Sequence, residues 1–382
     1  MFAEIKSYLE AMPQDAGLKP VPIILASLIA AAIALYWRIS TSSKLPRINA
    51  KGAFEISDSR TKAVWMKDGA NLIRDWFAKN PDKPVLIVTD SGPLTVLPPS
   101  MAQEIRNDSR LGFTEVVQGQ FHSYLPGFEP FRLGSSDTLV QGVVRKDLTK
   151  QLAKVTGALA EETSLSLQEI LTDDTEWHEA NVRQTVLQLV ARISSRVFLG
   201  EELCRDPDWL RVTKDYTVAT FNAADELRQW PKILRPIVNR FLPSCLTAQA
   251  MVKEARTIIR PIIAKRYAAR DAAAAAGEKY VESNDAIDWF ARADSERHFD
   301  GAMFQLALSL AAIHTTTDLL SETLLRIAKN PEVIPALRKE IIEIYRSDGW
   351  EKTALYKMKL LDSTIKETQR IKPISLGRGK PC

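Results

Sequence analysis

The chain has 382 residues, 45% hydrophobic and 26% charged, which is the make-up of a globular protein with one large domain or two ordinary ones. Its net charge of +4 is slight for this length, and Lys and Arg are scattered rather than gathered into a stripe, which argues against a nucleic-acid partner. Cys204, Cys245 and Cys382 have no metal or disulfide spacing and predict a reducing compartment, and no Walker loop, H-E-x-x-H, C-x-x-C or Rossmann glycine fingerprint occurs.

Residues 1–19 are polar and mixed in charge. Residues 20–37, PVPIILASLIAAAIALYW, form an uncharged apolar run of about 18 residues, just long enough to span a bilayer, with Tyr36 and Trp37 as interfacial anchors. Arg38, Lys44, Arg47 and Lys51 follow and favour a cytosolic C-terminal side. The reading is a transmembrane anchor over 20–37. A cleaved signal peptide is the alternative, opposed by the late start of the run and the lack of a small-x-small site. Residues 38–53 read as a linker, stiffened around Pro46.

From Phe54 to Asn80 apolar residues recur at helical spacing. Residues 84–89 and 94–97 flank Asp90-Ser91-Gly92-Pro93 and predict a hairpin. Pro98-Pro99 stops it, and residues 100–106 predict a short helix. Residues 121–131, FHSYLPGFEPF, form an aromatic loop with little periodicity. Helices are expected over 140–161, 182–198, 209–227 and 248–276. Between the last two, residues 230–246 carry Pro231, Pro236 and Pro243 among apolar residues. Residues 278–294 read as a connector, and 332–345 and 353–371 as the final helices. The predicted fold class is mostly α with a small β portion near residue 85.

The most informative stretch is 300–328, DGAMFQLALSLAAIHTTTDLLSETLLRIA. Asp300 suits an N-cap, because its carboxylate can accept from the free N–H groups of the first turn. Residues 302–313 are apolar on nearly every face but too short to cross a bilayer, which predicts a buried central helix about 40 Å long. Asn330-Pro331 closes it. Its middle, Ala311-Ala312-Ile313-His314-Thr315-Thr316-Thr317, puts small residues, an ionisable ring and three hydroxyls into a buried element. Read alone, this is a satisfied polar patch in a helix core. Fifty residues on, Glu367 and Arg370 lie three apart, share a helix face and can pair; read alone, that is an exposed ion pair.

Together, AAIHTT and KETQR running into IKPISL resemble the cytochrome P450 family over roughly residues 45–376. The first matches the oxygen-activation motif of that family's long central helix. Ala311 and Ala312 fill the small positions, Thr315 falls on the motif Thr, and His314 replaces the usual acid, as in filamentous-fungal members. Glu367 and Arg370 fall on the family's Glu-x-x-Arg. The resemblance implies a partial cytochrome P450 domain over 54–376 behind an N-terminal transmembrane helix, with 377–382 an aberrant tail.

The same resemblance implies a haem cofactor, a cytochrome P450 reductase as partner and a small hydrophobic substrate. It implies insertion of one oxygen atom, in the manner of fungal members acting on terpenoid or polyketide secondary metabolites. The expected place is the endoplasmic reticulum membrane, single-pass, with the main domain cytosolic. Thr315 would relay protons and hold water. His314 would shuttle protons, its unperturbed pKa lying near neutrality, or be a packed ring bonded to a carbonyl. Ala311 and Ala312 would face haem and oxygen, and Glu367 and Arg370 would be structural. Arg145 and Lys154 are candidates for a haem propionate or are solvated charges. Residues 121–131 would close over haem and substrate or be a packed surface loop, and 230–246 would be the lid.

The family holds its iron through a Cys thiolate in a Phe-x-x-Gly-x-x-x-Cys loop well beyond Glu-x-x-Arg. Cys382 lies twelve residues after Arg370, with Ser375 and Arg378 where Phe and Gly belong. The expectation is a chain truncated before that loop, with no metal ligand of its own and apolar surface left uncovered. The alternatives to a monooxygenase are an inactive remnant and a membrane-anchored helical scaffold without cofactor.

Overall fold

The computed structural model describes residues 25–29, 45–52, 55, 58–108, 110–133, 138–294, 296 and 300–373. The chain divides into two compact units, Met1–Gln103 and Glu104–Cys382. The division falls inside the stretch expected as one domain. Of the expected anchor over 20–37, only 25–29 is described, as helix with exposed side chains; the rest lies outside the described residues. Among the described residues, no helix is long and apolar enough to cross a membrane. Cys382 and the tail from 374 also lie outside them.

In the first unit, helix α1 (Ser59–Lys79) bends at Asp68, where the backbone leaves helical geometry. Trp65 lies over Gly69, the residue after Asp68, where a Cβ would come within 2.5 Å of the indole. Strands β1 (Val85–Thr89) and β2 (Gly92–Val96) pair antiparallel from Val85 opposite Val96 to Thr89 opposite Gly92. The turn is therefore only Asp90-Ser91. Gly92 and Pro93, expected in the turn, open β2 instead. Gly92 takes a φ of +117° that other residues resist, and Pro93 is tolerated on an edge. Asn49 donates to the Thr61 and Val88 carbonyls at 3.0 and 2.8 Å and accepts from the Val88 amide at 2.8 Å, joining the linker to both elements.

The second unit is helical. It contains α2 (Phe113–Gln120), α3 (Thr149–Leu171), α4 (Val182–Leu199), α5 (Pro207–Arg228) and α6 (Pro243–Ala276), then α7 (Ala286–Ala293), α8 (Gly301–Lys329), α9 (Ile334–Asp348) and α10 (Lys359–Ile371). Caps set their ends. Asn181 accepts from the Gln184 amide at 3.1 Å, Asp206 from Trp209 at 2.7 Å and Asp285 from Asp288 at 3.1 Å. Pro207 and Pro243 sit in first turns, where a missing N–H costs nothing, so α5 and α6 start earlier than their apolar spacing suggests.

Three other boundaries differ from expectation. The helix expected to end at 161 runs to Leu171, preceded by a π turn at Val144–Leu148. Its apolar pattern breaks because Glu162 and Ser166 point inward. Glu162 accepts from Arg192 at 3.0 Å and Arg205 at 2.9 Å, so a polar residue occupies a core position. The connector over 278–294 contains α7, whose eight residues are too few to show a period. The last helix breaks at the buried Met358, with Lys352–Lys357 ahead of the break.

The core gathers around α8, which packs on α4, α5, α6 and α10. Phe304 stacks at 4.3 Å on Phe290 of α7, and Trp209, Tyr216, Ile259 and Leu306 are fully enclosed. Such burial is the main favourable term of the fold. The start of α8 is fixed by one carboxylate. Asp300 accepts from the Ala302 amide at 3.1 Å and from Arg256 and Arg260 of α6 at 2.8 and 2.9 Å.

Candidate functional site

Along α8 the first turns are sealed, with Gly301 through Leu306 all buried, and then one face opens. Ala311 and Thr315, one helical turn apart, are both exposed, while Ile313 and Thr317 on the opposite side are buried. Ala312 is half-buried. The Thr315 hydroxyl donates to the Ala311 carbonyl at 2.7 Å and lies 3.4 Å from that of Ala312. Such back-bonding competes with the helix ladder and bends it. The open face thus consists of small side chains, a hydroxyl and a backbone loosened at the same point.

His314 points elsewhere. Its Nε2 lies 2.9 Å from the backbone carbonyl of Lys214 on α5. A carbonyl only accepts, so Nε2 carries the proton and the ring ties α8 to α5.

Glu367 and Arg370 meet as a two-pronged pair, with both Arg nitrogens 2.7 Å from the carboxylate, on an exposed face of α10. Arg370 holds the Glu367 carboxyl below its ordinary range. Glu367 also lines an open groove of about 390 Å³ between the ends of α8 and α10, with Arg326, Asn330, Ser363 and Thr364. An ion pair of Lys372 with Glu322 of α8 closes α10 onto the central helix. Arg145, in the π turn, and Lys154, on α3, are both exposed.

The aromatic segment 121–131 packs inward. Phe121 and Phe131 stack at 4.2 Å with planes 3° apart, and Phe121 meets Phe221 of α5 edge-on at 4.6 Å. Phe128 and Leu125 are buried against Ala223, Ala224 and Leu227 of α5 and Cys245 of α6. Leu310, next to Ala311, packs on the same cluster, so the segment borders the open face. The residues that hold it were not legible in the sequence. Tyr216 donates to the Gly127 carbonyl at 2.8 Å across 89 positions, and Asn239 to the Pro126 carbonyl at 3.2 Å across 113.

This is a helical protein built on one buried helix whose exposed middle presents Ala311 and Thr315. The family model for cytochrome P450 matches residues 139–379. The chain is 43% identical over 344 residues to the cytochrome P450 monooxygenase TRI1 of Fusarium sporotrichioides, a match covering 89% of this chain and 62% of that protein. It is 39% identical over 376 residues to the cytochrome P450 monooxygenase adrA of Penicillium rubens, covering 98% and 73%. To the cytochrome P450 monooxygenase hepE of Aspergillus oryzae it is 45% identical over 336 residues, covering 87% and 61%. The chain therefore spans between 61% and 73% of the length of these relatives. It belongs to the cytochrome P450 family.

The family implies a haem, and the described residues fit half of what a haem needs. The Ala311–Thr315 face is open, and its side chains are small enough for a flat ring to lie against the backbone. No described cysteine suits the axial ligand. Cys204 lies inside beside Glu162, and Cys245 sits in the apolar cluster under residues 121–131. Burial pushes both thiols up to about 11, so neither is a ready thiolate.

Proposed function

We propose that the whole protein is a haem-thiolate monooxygenase acting on a small hydrophobic substrate, and that these residues supply the face on which oxygen and substrate meet. The observation that carries the reading is the open Ala311–Thr315 face with its hydroxyl back-bonded to the Ala311 carbonyl. Haem, when bound, supplies oxygen activation. The chain's own parts are these. Ala311 and Ala312 leave room for close approach, and the Thr315 hydroxyl holds and passes a proton beside its carbonyl partner. His314 fixes α8 against α5 through the Lys214 carbonyl. Glu367 and Arg370 would be the structural pair of α10. Arg145 or Lys154 would meet a haem propionate.

The substrate class proposed is a fungal secondary metabolite of terpenoid or polyketide type, by likeness to fungal relatives. The electron donor proposed is a cytochrome P450 reductase. The proposed place is the endoplasmic reticulum membrane, anchored by residues 20–37 with the main domain in the cytosol. One surface supports membrane contact. In segment 230–241, Ile233 is 83% and Phe241 73% exposed, with Trp230 and Ile237 also outward, and Lys232, Arg235 and Arg240 lie among them. Apolar residues interleaved with cations suit a headgroup boundary.

The test is a reduced carbon-monoxide difference spectrum of membranes from cells expressing the whole gene product. A thiolate-type Soret band is expected. Absence of any haem signal overturns the reading. It would favour the second one, a haem-less helical scaffold or inactive remnant.

A further inference from the structure

The segment 121–131 has the build of an Ω-loop, a compact surface loop with its ends together, packed by its own side chains. The ends meet in the Phe121–Phe131 stack, and the body sinks Leu125 and Phe128 between α5 and α6. Three contacts from outside latch it. Tyr216 and Asn239 take the consecutive carbonyls of Gly127 and Pro126, and Arg228 donates to the Gln120 carbonyl at 3.0 Å. Asn239 is itself held by Gln249, which donates to its carbonyl at 2.9 Å.

Against these latches stands one residue docked at a cost. His122 is 1% exposed, has a φ of +49°, and neither ring nitrogen makes a hydrogen bond of ordinary geometry among the described residues, although the Ala224 backbone lies near enough to favour its proton weakly. A non-glycine residue in the left-handed region, and a polar ring taken from water without a partner, are each costly and persist only where the surroundings impose them. Both costs vanish when the loop lifts. We propose that residues 121–131 are an acid-released strap beside the open face of α8, with His122 as its release point: the strap docks when the imidazole is neutral and lifts when it takes up a proton.

The surroundings oppose a proton at His122. Burial first, then the charge of Arg235 and, more weakly, those of Arg228 and Lys232, outweigh the opposing Ala224 backbone and push its pKa down to about 4. Arg228 is paired with Asp225 on α5. Three titratable groups near the loop are engaged or neutral. Glu129 accepts from the Gly127 amide, Glu226 from Ser244, and the Cys245 thiol is pushed up to about 11. In the lifted state the imidazole returns to its ordinary value near 6.5. The lifted state then binds more protons between about pH 6.5 and pH 4, so docking weakens as pH falls through that window. The size implied at pH 5 is on the order of thirtyfold in the lifting equilibrium. The inference does not depend on the monooxygenase reading, because it concerns only the loop and its contacts.

The experiment is amide hydrogen exchange of the full 382-residue chain from pH 5 to pH 7.5, corrected for intrinsic exchange rates. Residues 123–131 are expected to lose protection by about thirtyfold at pH 5 relative to pH 7.5, while the amides of α8 hold. In His122→Asn, a side chain that tolerates positive φ, the pH dependence disappears. In Tyr216→Phe the loop opens more at every pH but keeps its pH dependence. A wild-type loop whose protection ignores pH, or an equal pH response in His122→Asn, overturns the proposal. Should the Asn variant not fold, the wild-type His122 ring resonance decides: a titration midpoint near 6.5 with the loop still protected overturns it as well.

Discussion

The Nε2 of His314 donates to the carbonyl of Lys214 at 2.9 Å, a single bond that joins the middle of the central helix to α5. Two residues further along α5, Tyr216 donates to Gly127. One short stretch of α5 therefore holds both the middle of α8 and the aromatic loop. His314→Phe keeps a ring of similar volume and removes the donor. It should cost about 1 kcal/mol, the net worth of one hydrogen bond, read as a lower urea midpoint at unchanged slope.

Glu162 is buried and answers two guanidiniums, Arg192 and Arg205. Burial pushes its carboxyl up, but hydrogen bonds from Arg205 and Arg192 outweigh this and hold it below its ordinary range. A carboxyl lowered on folding lends stability that is complete above its unfolded value and lost as pH falls toward its folded one. Wild-type melting temperature should therefore drop below about pH 4.5, the ordinary carboxylate range. Glu162→Gln takes the anion from Arg205 and leaves Arg192 only its exposed partner Glu169, and should cost about 1–3 kcal/mol near neutrality. Its melting profile should be flatter in acid than that of the wild type.

Thr315→Ala removes a hydroxyl that, among the described residues, bonds within its own helix and faces outward. Thermal stability of the chain should change by less than about 0.5 kcal/mol. In the whole protein the same change should lower product formation and let reducing equivalents drain to peroxide. Equal coupling in mutant and wild type would overturn the proton-passing role proposed for Thr315.

Gly127→Ala places a Cβ 3.1 Å from the Gln249 amide nitrogen, on backbone with φ +91°. Neither the chain direction nor a backbone atom can give way, so a loss of about 1–3 kcal/mol is expected. Limited proteolysis should show it first as cleavage near the exposed Tyr124.

Glu367→Gln breaks a pair that is open to water in this chain. The denaturation midpoint should not move measurably, since exposed pairs are screened and cost side-chain entropy. A large drop would mean that the pair is covered by sequence outside the described residues.

How much was legible follows from where each signal resides. The hydroxyl-bearing motif at 311–317, the Glu-x-x-Arg pair, the capping Asp300 and the hairpin near residue 85 are all contiguous, so local pattern revealed them. The extension of α3 past residue 161 was not legible, because Glu162 breaks the apolar period for partners 30 and 43 residues away. Helix α7 was hidden by its length. The aromatic loop was visible as composition, but its alternatives, packed loop or mobile cover, could not be separated without the latches.

The sequence by itself determined the class of the protein and the identity of its chemically distinctive residues. These depend on residue type at fixed short spacing, and helix periodicity turns such spacing into a shared face. Only the tertiary structure decided which face of α8 is open, that His314 turns to Lys214, and that Tyr216 and Asn239 hold a loop some hundred positions away. Those facts depend on which helices meet. Close packing of buried surface sets that, and no stretch of sequence contains both partners.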